Sequence, residues 1–177
     1  MKTPLKIVLA LALGASALPA QTAPAASAKP AKNWTAPAYK IQGQVLCDQI
    51  MAQHPELLSV TLHGVPPGLS KVYTMFAGSF PERIGNPDDP DDVMIIELGI
   101  TITDPRWHRT KDTVKKFVMM VPLRDAAGEN CGLLVLAYKN DAAHTKTEQE
   151  FYIAATALRD ALQQQIPSYA GLYEKAK

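Results

Sequence analysis

From Lys115 to Lys139 the chain reads KKFVMMVPLRDAAGENCGLLVLAYK, and this stretch decides the fold. It has the form of a β-hairpin: a strand ending near Arg124, the turn Asp125-Ala126-Ala127-Gly128, and a second strand from Cys131 to Lys139. Branched and aromatic residues favour both arms, and Asp and Gly stand where a turn needs them. Each arm is apolar on both alternating faces. Phe117, Met119, Val121 and Leu123 oppose Val118 and Met120; Leu133, Val135 and Ala137 oppose Leu134 and Leu136. A strand apolar on both faces is central and covered on both sides. Terminal helices are expected on one face, and a ligand or a short-helix segment on the other.

Working outward, the first twenty residues carry Lys2 and Lys6, an apolar run from Ile7 to Leu13, and small residues after it. This is the pattern of a secretory signal peptide cleaved after Ala17 or Ala20, with an apolar core short for a membrane span. No cysteine stands near the cleavage region, which argues against a lipid anchor. The expected location is the periplasm or the exterior. Residues 21–37 are mostly Ala, Pro, Thr, Ser and Lys with one aromatic, Trp34, and are expected to form a disordered tether. Residues 38–177 suffice for a single domain with its own core.

Loss of the two signal lysines leaves 16 basic against 17 acidic side chains, so nothing points to nucleic acid as a partner. Cys47 and Cys131 each fall on an apolar face of a predicted element. Two buried free thiols are the preferred reading, with a disulfide as the alternative.

A loose apolar stripe predicts a helix from Tyr39 to His54, stopped by Pro55. Strands follow over Leu57–Val65, with Val60 and Leu62 inward, and over Lys71–Ala77. The loop GSFPERIGNPDDPDD, Gly78 to Asp92, ends as a helix start: Asp89 as cap, Pro90 in the first turn, Asp91 and Asp92 beside the positive helix end. Gly99 stops that helix, and Ile100–Thr103 is a candidate edge strand. Thr147-Glu148-Gln149-Glu150 is a capping box opening a last helix, which Pro167 ends after Ile166. An α+β fold explains this order best, with helices segregated to one side of an antiparallel sheet.

Three stretches resemble the extracellular PAS-like sensor domains called Cache or PDC. They are Val60-Thr61-Leu62-His63 before Pro-Pro-Gly, Arg83-Ile84-Gly85-Asn86-Pro87-Asp88-Asp89 before Asp91-Asp92, and Val121-Pro122-Leu123-Arg124-Asp125 leading through Gly128 to Cys131-Gly132-Leu133-Leu134-Val135. The last phrase is equally similar to GAF domains, and the export signal tips the choice toward Cache. The resemblance implies a PAS-like five-stranded antiparallel sheet flanked by N- and C-terminal helices. It also implies a small-molecule pocket on the other face, roofed by the middle loop and short helix. With no output module in the sequence, a separate membrane-protein partner is expected to carry the signal. The oligomeric state is open, a homodimer being one option.

Tyr73, Met75, Arg83, Met120 and Tyr138 are the candidate ligand-binding residues. Aromatic walls and one fixed cation would suit a small carboxylate. The competing account makes Tyr73, Met75, Met120 and Tyr138 plain core and pairs Arg83 with Asp88 or Asp92. The acidic run lacks the ligand spacing of a calcium loop, and helix capping accounts for it without a metal. His54, His63, His108 and His144 show no metal-ligand spacing and read as surface residues, His63 on the polar face of its strand. No nucleophile–base motif, phosphate loop or cofactor motif appears, so a non-catalytic protein without cofactor is expected. The alternative function is an envelope interaction or structural module with a filled core and no ligand. A cavity above the sheet would separate the two.

Overall fold

A computed structural model describes residues 31–103 and 113–177. The signal peptide, residues 21–30 of the expected tether, and His108 with the rest of the polar stretch from Asp104 to Asp112 lie outside the described residues.

The chain is α+β. The central hairpin pairs β4 (Lys116–Arg124) with β5 (Asn130–Lys139), joined by a turn in which the Asp125 carboxylate accepts from the Ala127 and Glu129 amides. Beside β5 lies β1 (Leu57–Gly64), beside β1 lies β2 (Thr74–Gly78), and β3 (Ile102–Thr103) edges β4. The antiparallel order is β2-β1-β5-β4-β3, a five-stranded sheet as expected, and the hairpin is central as its two-sided apolar pattern requires.

The helices α1 (Gln42–Gln53) and α3 (Glu148–Gln163) cover one face. Leu46, Cys47 and Ile50 of α1 and Phe151, Ala155, Leu158 and Leu162 of α3 meet Val60, Leu62, Phe76, Met119, Val121, Leu134 and Leu136 in one apolar cluster. Phe151 stacks on Phe117 with ring centroids 4.5 Å apart and tilts against Tyr138 at 5.4 Å. The capping box at Thr147 is present: its side chain accepts from the Glu150 amide, and the Glu150 carboxylate accepts from the Thr147 amide.

Among the described residues the helix on the other face is α2 (Pro90–Leu98). Asp89 and Asp92 form a reciprocal cap at its start, and Gly99 closes it with φ +65°, a left-handed angle that glycine adopts without penalty. Ile95 is fully buried with Val118, Met120, Leu133 and Ala137, and Asn130 Nδ2 donates to the Ile96 carbonyl at 2.8 Å.

Three expectations shift. The strand expected from Lys71 begins at Thr74, because Lys71 has φ +57° and breaks the extended backbone. The last helix ends at Gln163, three residues early, and Ile166 is buried beyond it. Asn33 and Trp34, assigned to the tether, are already docked: both amides donate to the Gly85 carbonyl, at 2.9 and 3.4 Å, and Trp34 packs edge-on against Tyr173. Gly85 has φ +87°, and a Cβ there would meet the Trp34 carbonyl oxygen at 2.1 Å, so only glycine admits this contact. No helix among the described residues is long and apolar enough to cross a membrane.

Candidate functional site

Between α2, the loop before it and the open sheet face lies a cavity of about 410 Å³. Alternation builds its floor. Ser59, Thr61 and His63 of β1, Val118 and Met120 of β4, and Val135 and Ala137 of β5 all point to this face. Phe80 and Arg83 border it from the loop, Asp89 and Asp92 from the start of α2, and Val114 and Lys116 from the entry to β4. The cavity is therefore apolar in the middle, basic at Arg83 and Lys116, and polar where β1 meets α2.

The polar end holds a hydrogen-bonded chain of three side chains. His63 Nδ1 lies 2.7 Å from Asp88 Oδ1, and Nε2 lies 2.8 Å from Thr61 Oγ1. The Asp88 side chain is 1% exposed, and its second oxygen has no hydrogen-bond partner. Asp92 is half-buried. Burial holds its carboxyl above the usual carboxylate range, against the opposing pull of His63 and of the Asp89 amide.

Two of the five candidate residues reach the cavity, Arg83 and Met120. Among the described residues Arg83 makes no ion pair with Asp88 or Asp92, and its guanidinium lies 5.3 Å from the centre of the Phe80 ring. Tyr138 is on the opposite face. It alternates with Leu134 and Leu136, whereas Met120 pairs across the hairpin with Val135, so Met120 and Tyr138 point away from one another. Burial against α3 pushes its hydroxyl far up. Met75 is buried but does not border the cavity; β1 and β2 slip register between Leu62 and His63, which sets Met75 beside His63. Tyr73 precedes β2 and donates its hydroxyl to Glu97 at the exposed side of α2, and this bond pushes the pKa of the phenol up.

His63 was the residue missed. It is 6% exposed rather than a surface residue. The acidic run likewise does more than cap: Asp89 and Asp92 cap α2, but Asp88 turns inward to His63. A polar residue lining a cavity alternates in sequence just as one facing water does, so the pattern Ser59, Thr61, His63 had the right face and the wrong neighbour. Both cysteines are free and lie against the helix-covered cluster, away from the cavity.

No family model and no curated protein sequence matches the chain. Solved structures do. The chain is similar to the type II free methionine-R-sulfoxide reductase of Thermoplasma acidophilum at 14% identity and TM-score 0.46, over 75% of this chain and 89% of that one. It is similar to the GAF domain of Acinetobacter phosphoenolpyruvate-protein phosphotransferase at 13% identity and TM-score 0.49, over 77% and 84%. A third likeness is to the E. coli DcuS sensor domain, at 14% identity and TM-score 0.37, over 54% of this chain and 65% of that one.

Proposed function

We propose that this chain is an exported, non-catalytic sensor-type domain that binds a small molecule in the cavity above its sheet and reports it to a separate membrane partner. The observation that carries this reading is the cavity itself. Its volume of about 410 Å³ falls in the range of small-molecule sites, roughly 300–1,000 Å³, and its lining has their composition: an apolar floor with a few convergent polar groups. A filled interaction module would have no such space on one face of its sheet. Arg83 supplies a cation at the rim for a carboxylate, while Val118, Met120, Val135 and Phe80 receive the ligand's apolar body. Neither cysteine reaches the cavity, so thiol chemistry has no nucleophile there. Export rests on the charged, apolar and small-residue order of Met1–Ala20.

The test is a thermal-shift screen of the chain from residue 31, which keeps Asn33 and Trp34, against small carboxylates, amines, amino acids and purines. A ligand at a hundred times its Kd stabilises the fold by about 2.7 kcal/mol, several degrees for a domain of this size. A carboxylate hit that weakens at least tenfold in Arg83→Ala supports the reading. No shift with any compound would leave the structural-module alternative standing.

A further inference from the structure

We propose that His63, Asp88 and Asp92 form a binding site for one divalent transition-metal ion of the zinc type at the inner, polar end of the cavity. One donor atom from each of the three lies within 4.8 Å of the other two. Donors sharing an ion about 2.1 Å away stand roughly 3 to 4 Å apart, so small side-chain movements close the set. His63 Nδ1 and Asp88 Oδ1, now a hydrogen-bonded pair 2.7 Å apart, would give up the shared proton and spread by a few tenths of an ångström to take adjacent positions on one ion.

Charge supplies the independent argument. The Asp88 side chain is 1% exposed, yet its Oδ2 has no hydrogen-bond partner. A buried carboxylate oxygen is costly unless paired or coordinated to a cation. Among the described residues neither Asp88 nor Asp92 is paired with Lys or Arg; the only ionisable partner is His63. Two carboxylates and one imidazole converge with a balance that a divalent cation would neutralise.

The donors also select the ion. One imidazole nitrogen with two carboxylate oxygens suits zinc, cobalt, nickel or manganese, whereas calcium and magnesium demand six or more oxygens. Three protein donors leave coordination positions open on the cavity side. Thr61 Oγ1, hydrogen-bonded to His63 Nε2 at 2.8 Å, would hold the ring in place, the part that outer partners play around bound metals.

The test is equilibrium dialysis of the metal-stripped chain against Zn²⁺ and Co²⁺, with Ca²⁺ and Mg²⁺ as counter-probes. The expected result is one Zn²⁺ or Co²⁺ per chain, no Ca²⁺ or Mg²⁺, and a Co²⁺ absorption spectrum without thiolate bands. Outer partners alone are worth about 10–100-fold in metal affinity, so His63→Gln, Asp88→Asn and Asp92→Asn should each weaken binding by more than about 100-fold. Asp92→Asn is the variant safest to fold, because Asp92 is half-buried and an amide still accepts the Asp89 amide hydrogen bond. Substoichiometric binding, thiolate bands, or undiminished affinity in Asp92→Asn would each overturn the proposal. The small-molecule screen is run in chelator, so failure of either reading leaves the other to be judged alone.

Discussion

The two faces of this sheet are made from the same hairpin and end differently. On one, Met119, Val121, Leu134, Leu136 and Tyr138 are sealed by two long helices, with Phe151 stacked on Phe117. On the other, Val118, Met120, Leu133 and Ala137 meet the nine-residue α2 through Ile95, and much of the remaining face borders a cavity. Apolar residues on both faces of a strand thus specify that each face is covered, and say nothing of how completely. The filled face supplies stability, and the incompletely filled one leaves room to bind.

This contrast can be broken from the filled side. Phe151→Ala removes a stacked, fully buried ring from the helix face and should cost about 3–5 kcal/mol in chemical denaturation. A loss below about 1 kcal/mol would mean that α3 is not a principal source of stability. The thiols sharpen the same side. Burial pushes Cys131 up to about 12 and Cys47 higher still. At pH 8 the native Cys131 should therefore alkylate about a thousandfold more slowly than an ordinary thiol of pKa near 8.5, with the rate climbing as pH rises toward 12. Rapid labelling of native protein at pH 8 would show that this face opens. On the hollow side, Val135→Phe adds volume over the cavity floor. Its cost should stay below the roughly 1–3 kcal/mol typical of overpacking a filled core.

Much of the fold was legible because its signals are local. The turn at Asp125–Gly128, the capping box at Thr147 and Glu150, the Asp89-Pro90 helix start and the Gly99 stop each lie within a few residues, and each recurs in the structure. The candidate site was legible only in part. Arg83 and Met120 reach the cavity, since one belongs to its rim loop and the other to an apolar face that some element must cover. Tyr138 instead lies on the filled face with Leu134 and Leu136, as its alternation with them requires, and away from Met120. His63 and Asp88 are 25 residues apart in sequence, and their 2.7 Å contact depends on how β1, the loop and α2 close on one another. Such a pairing is set by tertiary packing, and no period in the sequence encodes it.

The central claim is that the space above β1, β4 and β5 is a binding site. Its most direct test is a parallel thermal-shift measurement of wild type and Val135→Phe against the carboxylate panel. The account predicts a shift of several degrees for at least one compound with wild type, and none for the folded variant whose cavity is occupied. An equal shift in both proteins, or no shift in either, would contradict it.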